Sequence, residues 1–442
     1  MAASVFDSPL YAHLFPTGEA GRLFSDTAAI RAMLLVEGAL ARAQAAQGII
    51  PEVSAKAIQR ATMEIQIDPG AIARATGENG VSVPGLVAAF RAEMSAPEHA
   101  QYLHWGATSQ DIIDTGLTLR LRQLLLLAEA DLRAVITALA DQAERHAATP
   151  MAGRTYGQHA TPTSWGAVVA DWGHGLCDLL EALPALRETS LFVSLSGAAG
   201  TSSALGPQAA ETRAALAAGL GLHDPKRSWH VDRGPLLRIA DWLAQVTAVL
   251  ARMGATMIAL TGSEVAEVKL GAAGASSTMP QKQNPVGPSV LQALGMQSAG
   301  LRASLTPATQ HLHQRDGAAW FAEWMILPQI ALGAACGLQH AKTLAQEGME
   351  PDTARMAHNL EGGLGLIHAE ALSFALASTL PRPQAQAETK ALCREAQETG
   401  TQLETVARAA YPELPVGLFH PDQSLGFAPQ EARAFAARAR AL

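Results

Sequence analysis

Three short segments carry more polar side chains than helix connections ordinarily need. The last in the chain is GAAGASSTMPQKQNPVG at 271–287. Small residues lead into the adjacent Ser276 and Ser277, then Lys282 and Asn284, and Pro285 marks a helix start. A serine beside an ammonium and backbone donors can be acidified for proton transfer. A flexible connector between helices explains the segment as well, until the other two are considered. The second, GRTYGQHATPT at 153–163, offers Arg154, Thr155, Gln158 and His159 ahead of another helix start. A lone histidine there is more often structural than catalytic. The first, HWGATSQDIIDT at 104–115, sets Thr108, Ser109 and Asp111 where N-cap residues sit, and backbone N–H groups and hydroxyls at such a place hold anions. Capping alone accounts for any one of them; four polar residues together ask for more.

Long helices must position these segments. Between 111 and 149, Leu117, Leu121, Leu124, Ala128, Leu132, Val135 and Leu139 recur mostly four and three apart, one stripe of a helix that Pro150 closes. Its length would be on the order of 50 Å. After Pro235, Ile239, Leu243, Val246, Leu250, Met253, Met257 and Leu260 alternate strictly by four and three, so this helix packs lengthwise and its methionines are core filler. Further helices are expected over 163–183, 285–305 and 321–345. Pro162 and Pro285 stand at their starts, Pro184 and Pro307 just past their ends, and Pro328 would kink or break its helix. Past 348 the helices shorten. The expected fold is all-α, with an N-terminal helical domain 1–110, a central bundle 111–348 and a small helical domain 349–442. So few helices of such length cannot cover all their apolar faces within one chain, and burial contributes roughly 25 cal/mol per Å². An oligomer is expected.

Composition excludes several classes. Lys plus Arg is 32 against 40 Asp plus Glu, a net charge of -8, which argues against a nucleic-acid binder. Cys177, Cys336 and Cys393 form no CxxC pair, which speaks against a disulfide framework or thiolate zinc site and suits a reducing cytoplasm. No secretory signal and no uninterrupted apolar run of about 18 residues is present, so neither export nor a membrane span is expected. There is no HExxH, phosphate-binding loop, dinucleotide fingerprint or Gly-x-Ser-x-Gly elbow, so no metal or organic cofactor is expected and a hydrolase is not favoured.

SSTMPQKQNP resembles the signature SSxMPxKxNP of the fumarase/aspartase superfamily, and the other two segments are similar to its TSxD and GRTxxQxATP regions. The resemblance covers essentially the whole chain. It implies a three-domain all-α subunit whose five-helix bundles join in a homotetramer, with each active site drawn from three subunits. It implies β-elimination or its reverse on a succinate-like skeleton, through an aci-carboxylate intermediate. Ser276 falls on the superfamily's base. Lys282 and Asn284, with Thr108, Ser109 and Gln158, match its carboxylate binders, and Asp111 and Ser277 belong to the same motifs. A dianionic intermediate requires such positive and hydrogen-bonding partners.

One position separates the branches. Fumarases, argininosuccinate lyases and adenylosuccinate lyases have histidine after GRT; here it is Tyr156, and 3-carboxy-cis,cis-muconate cycloisomerases have an aromatic residue there. GRTYGQHATP resembles their GRTWLQHATP, and HWGATSQDIIDTG their HLGATSQDAMDTG; the Trp229–His230 pair and AEW at 322–324 point the same way. That branch interconverts 3-carboxy-cis,cis-muconate and 4-carboxymuconolactone in the protocatechuate branch of the β-ketoadipate pathway. The leaving group is then a tethered carboxylate, which departs without a general acid. For a tricarboxylate substrate, His104, Arg154, His159, Lys282 and Arg315 become electrostatic partners. Ala275 replaces the glycine before the serines, Gln281 and Gln283 replace a usual His and Arg, and Gln314 stands where Glu is typical. Tyr156 also carries a hydroxyl able to donate a proton. The alternative is adenylosuccinate lyase or another fumarate-releasing lyase, with His159 as substitute acid. A catalytically dead helical tetramer would have lost Ser276, Lys282 and Asn284, and all three are intact.

Overall fold

A computed structural model describes residues 4–271, 274, 275, 279 and 282–442. The chain is mostly helical, as its periodicities require. The first long stripe becomes the helix Ser109–Arg145 and the second the helix Gly234–Thr261. Leu121, Leu132, Val135 and Leu139 on the first, and Ile239, Leu243, Val246, Met253 and Met257 on the second, are all fully buried. Each such leucine removed from water contributes roughly 1.5–3 kcal/mol, which is why a four-three repeat decides the helix face.

Three more long helices follow the expected positions: Trp165–Ser190, Val286–Leu305 and Gly317–Thr343. One proline behaves differently from expectation, and a second leaves its helix unbroken. Pro184 lies inside its helix and does not end it, and the helix around Pro328 runs on without a break. Pro184 is on an exposed face, where water can satisfy the carbonyl that lacks its usual N–H partner. Ahead of the helix Trp165–Ser190 stands a β-hairpin, Pro150–Thr155 with Gln158–Ser164, where the sequence indicated only an approach to a helix.

By internal contacts the chain divides into two compact units. One is Met1–Ala130, Ala182–Ala248 and Leu294–Gln339; the other is Asp131–Glu181, Val249–Ala293 and His340–Leu442. The second unit contains a local core at its C-terminal end, in which Leu372, Leu376, Ala385, Leu392, Leu403 and Phe419 close around the helix Arg382–Thr399.

Two helical stretches, Gly234–Thr261 and Gly317–Gly348, reach mean hydropathies of 1.5 and 1.4 and could cross a membrane by length and composition. Interspersed polar residues hid this from a search for unbroken apolar runs. Their fully buried stripes mark them as core helices.

Candidate active site

In the first unit, the helix Ser109–Arg145 starts directly after Thr108, and its third residue is Asp111. The Asp111 carboxylate accepts from the Thr108 amide at 3.1 Å, half of a capping box. It also accepts from Ser194 Oγ at 3.0 Å, the Ser196 and Gly197 amides at 2.9 and 3.0 Å, and His230 Nε2 at 2.8 Å. Burial alone would push this carboxyl up. His230 and the Thr108 and Ser196 amides outweigh it, so Asp111 is held below its usual value. With no exposure and five donors upon it, Asp111 organises the site and has no lone pair to spare, nor would a carboxylate attract an anionic ligand.

The helix start also presents acceptors and donors outward. Thr108 and Ser109 are half-buried, and the Arg315 guanidinium donates to Thr108 Oγ1 at 3.3 Å, Gln110 Oε1 at 2.8 Å and the Ala198 carbonyl at 3.2 Å. Residues two hundred apart in sequence therefore share one cluster. Gln110 in turn donates to Asp114 and to the His230 carbonyl. Asp114 receives a bidentate pair from Arg233 at 2.7 and 3.0 Å, and Arg233 reaches Glu323 with 2.8 Å bonds to both oxygens. All three of these charges are buried, and Arg233 stacks over Trp229. Such a network holds its members rigid because breaking any one bond strands a charge.

His104, with φ of 61°, turns its Nδ1 to the buried Glu37 carboxylate at 2.7 Å. Burial by itself disfavours the imidazolium, but the Glu37 hydrogen bond and charge prevail, and its pKa is raised above 6.5. The Glu37 carboxylate thereby favours the imidazolium form of His104.

In the second unit, Tyr156 and Gly157 form the two-residue turn of the hairpin, with φ of 54° and 74°. Positive φ at both positions is the geometry of a type I′ turn, which suits glycine and strains tyrosine. Gly153 occupies a bulge where a Cβ would stand 2.5 Å from the Thr161 carbonyl, so the first residue of GRT has to be glycine. The turn leaves the Tyr156 ring fully exposed, with Gln158 and His159 exposed beside it. Partial burial, then the Arg154 charge, hold His159 below its usual value, which keeps it neutral at pH 7.

Arg154 has a committed partner. Both of its terminal nitrogens bond Glu267, at 2.8 and 2.6 Å, and Glu267 is fully buried and also receives Asn359. A buried carboxylate requires that counter-ion, so Arg154 neutralises Glu267. In the third segment, Gly274–Ala275 pairs with Gln283–Asn284 and closes the loop at its base. Lys282 is exposed, its amide bonded to the Met279 carbonyl, and Asn284 is half-buried. Ser276 and Ser277 lie outside the described residues.

Sequence reasoning missed Glu37, Gln110, Asp114 and Arg233, and it noted His230 and Glu323 only as part of the resemblance, without a role. For Arg233 and Gln110 the available signal was compositional: Arg233 falls in a polar stretch at 221–234, and Gln110 sits between two residues already singled out. Among the described residues, no three His, Cys, Asp or Glu side chains gather closely enough to hold a metal ion.

A Lyase family profile matches residues 18–300. A 3-carboxy-cis,cis-muconate cycloisomerase of Pseudomonas aeruginosa is 41% identical over 389 residues, 87% of this chain and 84% of its own length. The chain belongs to the fumarase/aspartase lyase superfamily. Its fold is shared with the solved 3-carboxy-cis,cis-muconate lactonizing enzyme of Pseudomonas putida, at a TM-score of 0.92 and 36% identity, covering 98% of this chain and 99% of that one. A fumarate lyase of a Mesorhizobium species matches at a TM-score of 0.88 and 32% identity, covering 95% and 97%. The superfamily is one of enzymes with small carboxylate substrates. A guanidinium, hydroxyls and a raised histidine around one helix start are suited to such a ligand.

Proposed function

We propose that the chain interconverts 3-carboxy-cis,cis-muconate and 4-carboxymuconolactone. In the lactonising direction a carboxylate oxygen of the substrate adds to the diene, forming the C–O bond as the π bond shifts. The adjacent carbon, carrying the aci-carboxylate, takes a proton from Ser276. In reverse, Ser276 removes that proton and the carboxylate leaves. Tethering makes the addition intramolecular, which accounts for much of its speed. A carboxylate needs no protonation to leave, so the absence of histidine after GRT is no obstacle.

Thr108, Ser109, Gln158, Lys282 and Asn284 bind the substrate carboxylates, and His104 and Arg315 add positive charge. Tyr156 and His159 cover the ring. The subunit has the domains 1–110, 111–348 and 349–442, and works as a cytoplasmic homotetramer with each site built from three subunits. Exposed apolar side chains on the long helices, such as Met296, Phe321 and Met325, favour that association. Three cysteines without disulfides accord with the cytoplasm.

The observation that carries the reading is the similarity over nearly the full length to cycloisomerases, joined to the Arg315–Thr108 cluster. An ultraviolet assay on purified protein tests it. Bleaching of the conjugated 3-carboxy-cis,cis-muconate diene, without turnover of adenylosuccinate, is the expected result. Turnover of adenylosuccinate alone moves the chain to the fumarate-releasing lyases.

A further inference from the structure

The first unit contains a cavity of about 310 Å³ whose lining includes none of Thr108, Gln110 or Arg315. Its walls are largely apolar: Phe24, Met33, Ile113, Leu117, Trp324 and Leu327. Arg120, from the helix Ser109–Arg145, lines it as well. That arginine forms no ion pair among the described residues. Its one hydrogen bond is from Nη1 to the Leu23 carbonyl at 3.3 Å, and its Nε is buried without an acceptor. Burial pushes its pKa down to about 10, only partly offset by Asp26, which is exposed at the same cavity and not bonded to it. A second buried donor, Trp324 Nε1, also lacks a partner. Glu323 borders the cavity too, but both its oxygens are committed to Arg233. The buried polar atoms of this wall that lack a partner are therefore donors, and one of them belongs to a guanidinium whose burial Asp26 offsets only in part.

An isolated buried guanidinium is costly, whereas the same group paired with a carboxylate in an apolar surround is among the stronger contacts a protein makes. A cavity of this size has room for a body of at least one six-membered ring. We propose that the cavity is a binding site for a small apolar monocarboxylate, its carboxylate paired with Arg120 and its body against Leu117, Phe24 and Trp324. A tricarboxylate does not suit it, since two of its three charges would face hydrocarbon. The site is thus separate from the one that takes substrate.

Calorimetric titration of the full-length protein with benzoate tests this, with benzamide as the neutral control of equal shape. Benzoate binds the wild type, and benzamide binds at least about tenfold more weakly, a difference of about 1.4 kcal/mol. Arg120→Met weakens benzoate to the same degree. Ala29→Leu, which fills the cavity from the helix Asp26–Ala46 and leaves Arg120 in place, also removes binding and serves if Arg120→Met does not fold. Thr108→Val, which alters the other cluster, leaves benzoate affinity unchanged. No heat with wild-type protein, or equal affinity in Ala29→Leu, overturns the proposal. Loss of binding in Thr108→Val also overturns it, because benzoate would then be occupying the substrate site.

Discussion

Asp111 shows how a single carboxylate can hold remote parts of the chain together. Its five donors come from the helix start, from the chain at 194–197 and from His230, so three remote pieces of backbone are fixed by one charge. Asp111→Asn turns one oxygen into a donor that faces other donors. Loss of roughly 3 kcal/mol in urea-induced unfolding is expected, since a donor at the Oδ1 position leaves His230, Ser194 Oγ and the Ser196 amide unmet, and one at the Oδ2 position leaves the Thr108 and Gly197 amides unmet. His104 provides a pH signature. Its folded pKa lies above 6.5 because Glu37 holds the imidazolium. The pair therefore stabilises the fold fully below that value and loses its contribution as pH rises through the raised one. An NMR titration should find the His104 midpoint above 6.5, and Glu37→Gln should bring it down. A midpoint unmoved by that substitution would remove Glu37 as the cause.

At the scale of elements, the hairpin Pro150–Thr155 and Gln158–Ser164 places stability and function in opposition. Tyr156 is held at positive φ in a turn that favours asparagine or glycine. Tyr156→Asn should therefore raise thermal stability by about 0.5–1 kcal/mol, since asparagine enters the left-handed region at less cost. If the ring covers substrate, the same variant loses turnover by about tenfold or more, the usual exchange at a strained site. Stability and turnover rising together would show the tyrosine to be a tolerated turn residue only. The long helices have no such conflict: their apolar stripes serve packing.

For the whole molecule, the proposed tetramer makes a stoichiometric prediction. Ser276→Ala and Thr108→Val should each be inactive alone. Refolded together in equal amounts, they should recover about a quarter of wild-type turnover, because random assembly gives that share of sites an intact copy of both regions. No recovery from mixed tetramers, verified by mass, would place both regions of a site in one subunit. The same molecule shows what could be read in advance. The four-three stripes of Leu117–Leu139 and Ile239–Leu260 determined helix positions and faces, because an apolar repeat at that spacing has one low-energy solution in water. The three polar segments were legible for the same reason in reverse, since nothing about packing asks for them. Partners were not legible. That Glu267 takes Arg154, that Glu37 takes His104 and that Arg315 meets Thr108 are decided only once helices far apart in sequence lie side by side. A charge in a sequence carries its sign but not its counter-ion, and burial makes the counter-ion decide whether that charge is free to bind substrate.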